Sequence, residues 1–392
     1  MTALGGLVPA FGTRDTPHAQ ARAARSQPVL LHSLSLFREV FEVVYRHREI
    51  STVVEIGVES GQVSSIYTDL GADRVYCVDP FPSDELRARL AEDDALQLVE
   101  RPSPLVLDEL PVADLYVIDG DHNYATVRGE VDWVLAHAPD AVVVLHDVLW
   151  PCSRRDQYYL PSLLSDAQRH PSSPDGPSVW TDELTPAGFV GAGVYDCAVE
   201  AGGEGNGVLT AVEDAMAAAA DQGWRLVIVP AVFGVGVLVR ETTATAGLLG
   251  ELRPLTESRL LYAMENNRIA LYTRVLQLQH DLDSLRSETA RLTGSVAEQA
   301  ALLAERERLL GEREAELQRQ SQQREAVAME LQRCEQERDG LAEEARRLHQ
   351  QVAELESARL AARARRVAAP VVRRVPGGTR LARRVLHRRL GD

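Results

Sequence analysis

Lysine is absent from this 392-residue sequence, so all 42 of its basic residues are arginine. The base composition of the gene explains such a bias better than a function does. Aromatic residues make up only 5% of the chain, and its four cysteines lie far apart without CxxC spacing. This spacing argues against a zinc site or a disulfide framework and favours a reducing cytoplasm.

Long apolar runs are missing as well. No stretch approaches the about 18–20 apolar residues that span a bilayer. Residues 1–28 lack the basic and apolar segments of a secretory signal and are predicted to be disordered. With 45% hydrophobic residues, the chain still has enough apolar matter for a core. We therefore expect a cytoplasmic protein.

Charge is distributed unevenly along the chain. From Arg359 onward there are eleven arginines and a single acid, so this end carries +10 and the remainder −26. The acidic body argues against nucleic acid as a partner. The arginine-rich tail, residues 363–392, predicts a peripheral contact with an anionic membrane at the cytoplasmic face, because its last segment also has an apolar side. A solvated tail without a function is the alternative. The apolar side consists of Leu381, Val385, Leu386 and Leu390.

Short apolar runs alternate with helical or loop segments in a predicted domain over residues 29–245. The predicted strands are residues 53–57, 75–79, 96–100, 114–119 and 141–147. Hydrophobic strands separated by helices indicate a parallel sheet that is covered on both faces. Two last runs, 224–230 and 233–240, lie too close together for a parallel crossover, so they should pair as a hairpin. The predicted fold is α/β, a doubly wound, mostly parallel sheet with an antiparallel final strand.

Two further segments complete the predicted organisation. The insertion 150–207 is rich in Pro, Gly, Ser and Asp, which is typical of a lid or a substrate-binding element. From Leu271 to Leu355, apolar residues recur every seven in two interleaved series, which predicts a coiled coil over 255–362. That coil should bind a second copy or a partner helix. Polar residues interrupt one series, where we expect local loosening: Gln299, Arg306, Arg313 and Gln320.

The first strand leads into a glycine-containing turn, VVEIGVESGQVSS. Gly57 and Gly61 allow the backbone to bend sharply and to approach a ligand. Asp79 ends the next strand, at a distance along the chain where a carboxylate accepts hydrogen bonds from a ribose diol. The pyrophosphate fingerprint GxGxxG is missing here. The turn therefore favours a nucleoside without phosphates and disfavours an oxidoreductase that uses NAD.

Acids and histidines follow the fourth and fifth predicted strands. Asp119, Asp121 and His122 follow one strand, and His146 and Asp147 follow the other. Ligands of open α/β sheets bind at the carboxyl ends of the strands, so we expect these side chains in one crevice. Such a cluster suits Mg²⁺ or Mn²⁺, and a neutral His122 is then the predicted general base. The alternative is that Asp119 and Asp147 only cap the helices that follow.

The pattern E-x-G-x-x-x-G, from Glu55 to Gly61, resembles motif I of class I S-adenosylmethionine-dependent methyltransferases. Together with DLYVIDGDHNY and VVLHDVLWP it resembles the branch that methylates sugars and glycans, the methyltransferase domain 24 family. The resemblance implies S-adenosylmethionine as cosubstrate and a sugar or glycan hydroxyl as acceptor. It also implies a divalent metal on Asp119, His146 and Asp147. The residues that it assigns to the cosubstrate are Glu55, Gly57, Gly61, Asp79 and Ser103.

The start of the insertion, WPCSRRDQYYLP, holds candidate acceptor-binding residues. Arg154 and Arg155 are expected to clamp a phosphate or carboxylate, and Tyr158 or Tyr159 to stack on a sugar. The alternative is a surface loop with an Arg154–Asp156 ion pair. For the whole chain, the alternative to an enzyme is a non-catalytic scaffold that keeps the nucleoside-binding fold and acts through its coil.

Overall fold

The computed structural model describes residues 13–26 and 34–372, which divide into two compact units at the Glu288–Thr289 boundary. The strands in the described residues are β1 Thr52–Ile56, β2 Arg74–Val78, β3 Leu96–Val99, β4 Leu115–Ile118, β5 Val142–Leu145, β6 Gln157–Tyr159, β7 Ser172–Ser173, β8 Tyr195–Ala198, β9 Trp224–Val229 and β10 Val235–Arg240. The helices are α1 Ala19–Ser26, α2 Arg38–His47, α3 Ser64–Asp69, α4 Asp84–Leu90, α5 Tyr124–His137, α6 Val208–Ala218, α7 Ala246–Thr256 and α8 Arg259–Val372.

Seven strands form the central sheet in the order β3-β2-β1-β4-β5-β10-β9. Strands β1 to β5 are parallel, whereas β10 runs antiparallel to both β5 and β9. The five predicted strands and the final hairpin are therefore confirmed. The strand order reverses between β1 and β4, and at such a switch point a crevice opens outside the carboxyl ends of the strands.

The hydrophobic core lies on both faces of this sheet. Successive β1 residues alternate between the faces, so Val53 packs with one core cluster and Val54 with the other. Helices α2 and α7 cover the first face, and α5 and α6 cover the second. Because both faces are covered, the central strands read as unbroken hydrophobic runs. The predicted doubly wound α/β fold is confirmed.

The insertion contains a second sheet, with strands in the order β6-β8-β7. Both pairings are antiparallel. The sheet is tied to the central domain through Asp156, which is 1% exposed and accepts hydrogen bonds from the backbone of Tyr124 and Gly207 at 2.8 and 2.6 Å. The insertion is thus a folded element with its own buried polar centre.

Helices α1 and α8 lie towards the two ends of the chain. Helix α1 lies inside the segment predicted to be disordered, in an alanine-rich stretch with high helix propensity. Helix α8 runs unbroken through the polar layers between Gln299 and Gln320, because a polar seam residue weakens packing between helices without breaking a helix. The expected loosening of the coil at these layers stays a prediction. Residues 373–392 are outside the described part of the chain, so the membrane contact stays a prediction. In residues 13–26 and 34–372, no helix has both the length and the apolar content needed to span a membrane.

Candidate active site

The turn after β1 is shaped by the close approach of β4. Gly57 has φ +85°, and a Cβ on this residue would lie 2.3 Å from the Asp119 carbonyl oxygen and 2.4 Å from the Gly120 Cα. Only glycine fits here, because both the backbone angle and the space exclude a side chain. Gly61 has φ +66°, and a Cβ there would lie 3.0 Å from Leu86 of α4. The turn therefore holds the chain directly against the end of β4.

Asp79 lies at the same edge of the sheet, because Val78 pairs with Ile56 in register. The Asp79 side chain is half-buried, and its Oδ1 accepts a hydrogen bond from the Phe81 backbone at 2.9 Å. Its Oδ2 has no hydrogen-bond partner among the described residues. The carboxylate is thus fixed by its own loop and keeps an oxygen for a ligand.

Glu55 and Ser103 both form hydrogen bonds with other side chains of the protein. The Glu55 carboxylate is 2% exposed and accepts from Ser64 Oγ at 2.5 Å and from the Tyr67 hydroxyl at 3.5 Å. Burial raises the pKa of Glu55 to about 8. Ser103 Oγ donates to the buried Glu130. Glu55 is therefore withdrawn from water and supports the start of α3, which corrects its expected cosubstrate contact. Ser103 supports α5 and is only half-buried, so its cosubstrate contact stays a prediction.

Four ionisable side chains meet where β4 and β5 end. In the sheet register Ile56, Ile118 and Leu145 are neighbours, so the residues after them share one edge. His146 Nδ1 lies 3.1 Å from Asp119 Oδ1 and 3.4 Å from Asp147 Oδ2. His122 Nε2 lies 3.4 Å from Asp119 Oδ1 and 3.2 Å from Asp147 Oδ2. Four of the five side chains predicted to share a crevice therefore meet here, whereas Asp121 accepts hydrogen bonds from Thr126 Oγ1 at 3.2 Å and from the Tyr159 backbone at 3.4 Å.

The charges in this cluster hold one another in the ionised state. Burial opposes ionisation of all four groups, but the opposite charges outweigh it. The pKa of Asp119 and that of Asp147 are therefore lowered, chiefly by His146. The carboxylates raise the pKa of His122 and raise that of His146 well above its usual range. Asp147 also has φ +56°, a strained conformation for a residue with a side chain, and such strain concentrates at functional sites.

A second layer of contacts orients His146. Its Nε2 donates to the Val232 carbonyl at 3.0 Å. Val232 and Phe233 have positive φ angles of 44° and 63°, and their backbone N–H groups donate to the Glu265 carboxylate of α8 at 2.9 and 2.8 Å. Glu265 thus holds the turn at Val232 and Phe233 in place, and this turn orients His146. The first part of α8 therefore belongs to the candidate site, which no local sequence signal indicates.

The donor set fits a divalent metal. Asp119, His146 and Asp147 each offer an atom within 4.8 Å of the others, and His122, Asp147 and the buried Cys152 form a second such group. Because Nε2 of His146 donates to a carbonyl, its Nδ1 is the nitrogen left for a metal, the arrangement that metal-binding histidines use. The N···O distances of 3.1–3.4 Å exceed the about 2.7–2.9 Å of charge-assisted hydrogen bonds. Asp119, His146 and Asp147 are therefore the residues that would hold a divalent ion.

The two tyrosines of β6 point to opposite sides, as consecutive strand residues do. The Tyr159 ring is 39% exposed and lies 5.7 Å from the His122 ring and 5.8 Å from the Tyr195 ring. Tyr158 is fully buried, and its hydroxyl donates to Asp156 at 2.8 Å. The expectation that Tyr158 stacks on a sugar is corrected, because its ring is inside the insertion. Tyr159 is the tyrosine at the crevice.

The expected arginine clamp is corrected as well. Arg154 pairs with Glu213 of α6, with Nη2 at 2.8 Å from Oε1. Arg155 is 6% exposed and donates to the carbonyls of Ala198 and Val199 at 2.6 and 2.5 Å. Both guanidinium groups therefore brace the insertion. The alternative Arg154–Asp156 pair is not formed, since the Asp156 carboxylate accepts from Tyr124, Tyr158 and Gly207.

Comparison with known families gives one match in the region that carries this crevice. Residues 54–148 match the methyltransferase domain 24 family, which is described as a methyltransferase domain. Residues 54–148 are thus similar to a methyltransferase domain. The expectation of an S-adenosylmethionine-dependent methyltransferase is confirmed at this level. A comparison with curated proteins finds no match.

Several solved methyltransferases are similar to this chain. One is the Podospora anserina methyltransferase PaMTH1 bound to S-adenosylhomocysteine, at 17% identity and TM-score 0.33, covering 54% of this chain and 81% of that one. Another is the glycopeptide N-methyltransferase MtfA, also complexed with S-adenosylhomocysteine, at 17% identity and TM-score 0.30, covering 59% and 100%. A third is 1,6-didemethyltoxoflavin-N1-methyltransferase from Burkholderia thailandensis, at 13% identity and TM-score 0.31, covering 57% and 82%.

Proposed function

We propose that this protein transfers a methyl group from S-adenosylmethionine to a hydroxyl of a sugar or glycan, assisted by a divalent metal. The observation that carries the proposal is the convergence of His122, His146, Asp119 and Asp147 beside the Gly57 turn. Methyl transfer to an alcohol needs a cosubstrate site next to a group that removes the hydroxyl proton, and this crevice offers both.

The nucleoside half of the crevice holds the cosubstrate. The Gly57 turn leaves backbone, rather than side chains, at the switch point, where a methionine moiety can approach closely. Asp79, which keeps one oxygen without a protein partner, accepts hydrogen bonds from the ribose hydroxyls. No positively charged phosphate site is needed, which suits a nucleoside that carries a sulfonium.

The reacting half removes the proton. His122 in its neutral form takes the hydroxyl proton at Nε2 while the acceptor oxygen bonds to the methyl carbon and the carbon–sulfur bond breaks, releasing S-adenosylhomocysteine. Because Asp119 and Asp147 raise the pKa of His122, the ring must first lose its own proton, which a cation bound to these carboxylates would favour by offsetting their charge. The new N–H then lies 3.2 Å from Asp147 and 3.4 Å from Asp119, whose negative charges stabilise the imidazolium. A divalent cation held by Asp119, His146 and Asp147 would lower the pKa of a coordinated hydroxyl.

The acceptor enters on the side of the insertion. Tyr159 presents a partly exposed ring beside His122, and the neighbouring Tyr195 extends this aromatic surface. The apolar face of a sugar ring packs on such a surface while its hydroxyls stay available to polar groups. This aromatic wall next to the base is the feature of the described residues that favours a sugar over a small charged acceptor.

The direct test is methyl transfer from labelled S-adenosylmethionine to a panel of sugars, nucleotide sugars and glycans. We expect label on a hydroxyl, loss of transfer after chelation with EDTA, and recovery with Mn²⁺ or Mg²⁺. Transfer only to nitrogen acceptors in a matched panel would overturn the choice of acceptor. Full transfer after exhaustive chelation would overturn the proposed role of the metal. His122 would then act with the two carboxylates alone.

A further inference from the structure

From Leu292 to Leu355, helix α8 presents an apolar face that no other element of the described residues covers. In helix α8 from Thr289 onward, nearly every described side chain is exposed. An apolar stripe of this length in water marks a surface that associates. Its large members, all about half exposed or more, are Leu292, Val296, Leu303, Leu310, Leu317, Val327, Leu331, Leu341, Leu348, Val352 and Leu355.

We propose that this face binds a second copy of the chain, in a parallel, in-register, two-stranded coiled coil. The heptad frame follows from the spacing, because Leu271 precedes Val275 by four residues and is therefore a d position. In the first four heptads every d residue is leucine, and three of the four a residues are β-branched. This combination favours two parallel strands over larger assemblies. The a residues are Val275, Leu282, Thr289 and Val296, and the d residues are Leu271, Leu278, Leu285 and Leu292.

The charged seam residues specify the partner. Arg306 and Arg313 occupy d positions, and each is followed by a glutamate at e, Glu307 and Glu314. In a parallel, in-register pair, a d side chain packs beside the e residue of the same heptad on the facing helix. Each arginine therefore meets the corresponding glutamate of the second copy, which satisfies charges that are costly to bury alone.

The same relation holds at an a position. Arg338 occupies a, and Glu337 directly before it occupies g. An a side chain packs beside the g residue of the preceding heptad on the facing helix, so Arg338 meets Glu337 of the second copy. In an antiparallel or shifted pairing, these arginines would not face the glutamates that adjoin them in the sequence. Three of the four arginines on the seam between Leu271 and Leu355 are matched in this way, whereas Arg324 at an a position follows Gln323 and has no such partner. These three matches favour one register, which an unrelated helix would have to reproduce.

Disulfide cross-linking through a native cysteine can test this register. Cys334 occupies a d position and is exposed, whereas Cys77, Cys152 and Cys197 are buried. In the proposed coil, the two Cys334 thiols face each other across the seam. Facing d positions are close enough for a disulfide, which joins residues whose Cα atoms are about 4.4–6.8 Å apart.

The experiment combines sedimentation and mild oxidation of the full chain with copper-phenanthroline. We expect a dimer by analytical ultracentrifugation at micromolar concentration and a disulfide-linked dimer on a non-reducing gel, which Cys334→Ser abolishes. In a Cys334→Ser background, Leu341→Cys at the next d position should cross-link again, whereas Met329→Cys on the outer face should not. Both cross-links together fix direction and register.

Matched variants test the seam itself. Leu341→Lys together with Leu348→Lys should convert the dimer to a monomer, whereas Leu360→Lys, an equally exposed leucine off the seam, should leave the dimer intact. A monomeric native chain would overturn the proposal. A dimer that cross-links at neither seam cysteine would show an antiparallel or shifted pairing and would also overturn it. A trimer or tetramer would overturn the two-stranded coil.

Discussion

The two halves of the crevice differ sharply in charge and burial. On the β1–β2 side are two glycines with positive φ and a single half-buried carboxylate, Asp79. On the β4–β5 side, four ionisable groups lie within 3.1–3.4 Å of their opposite charges and are largely withdrawn from water. Charges act most strongly where water is excluded, but a bulky ligand needs open space. The contrast indicates that one half binds the cosubstrate and the other half performs the chemistry.

The largest expected effect is the loss of turnover when the charged half is altered. Asp147→Asn removes a carboxylate from both histidines, while asparagine tolerates the left-handed backbone of this position. We expect kcat to fall by at least about 100-fold, with little change in the dissociation constant of S-adenosylmethionine. Asp140→Asn, at an exposed site, is the control and should keep full activity. An Asp147→Asn enzyme with the native kcat would show that the β4–β5 side of the crevice does not perform the chemistry.

The β1–β2 side of the crevice is expected to show the opposite pattern, with weaker cosubstrate binding and little change in kcat. Asp79→Ala should weaken S-adenosylmethionine binding by about 1.5–3 kcal/mol, because it removes charge-assisted hydrogen bonds to the ribose. Calorimetric titration measures this directly, and Asp79→Asn should fall between the native protein and the alanine variant. At saturating cosubstrate kcat should be nearly restored. Unchanged affinity in Asp79→Ala would mean that the nucleoside lies elsewhere.

A smaller effect separates the two adjacent tyrosines. Tyr159→Ala should raise KM for the acceptor by about 3–10-fold, the value of a lost aromatic contact, without lowering the melting temperature. Tyr158→Phe should instead leave KM unchanged and lower the free energy of unfolding by about 1–3 kcal/mol, because the buried Asp156 carboxylate and the His170 N–H lose their shared partner. Equal KM values for native protein and Tyr159→Ala would remove Tyr159 from the acceptor site.

An effect on stability alone is expected for Glu55, whose pKa of about 8 lies above the ordinary 4.5. Between these values the folded state binds more protons at this site than the unfolded state, so stability falls as pH rises from 4.5 to 8. Glu55→Gln should remove up to about 1.4 kcal/mol per pH unit of this slope. Denaturant unfolding at pH 6 and pH 8 measures the difference. A slope identical in native protein and variant would show that Glu55 is ionised in the folded state at pH 6.

Sequence reasoning succeeded where neighbouring strands set the geometry. The hydrophobic runs located β1 to β5, and the ends of parallel neighbours must meet at one edge, so Asp119 and His146 were placed together correctly. The same logic found the glycine turn at Gly57, whose φ of +85° requires glycine. These features depend on the local sequence pattern and on the fact that the carboxyl ends of parallel strands lie at one edge of the sheet.

Long-range side-chain contacts were not predictable in this way. Arg154 meets Glu213, 59 residues away, and Glu265 meets Val232 from a helix whose predicted role was association. Nothing in the local sequence distinguishes these partners from other acids. Tyr158 and Tyr159 were ambiguous for a different reason: strand alternation assigns them to opposite faces but does not say which face is the interior.

Isothermal titration of the native protein, Asp147→Asn and Asp79→Ala with S-adenosylmethionine tests the division of the crevice most directly. We expect equal affinity for the native protein and Asp147→Asn, and about 10–150-fold weaker binding for Asp79→Ala. A native protein that does not bind S-adenosylmethionine would contradict the methyltransferase function itself. Equal losses in both variants would contradict the separation of binding from chemistry.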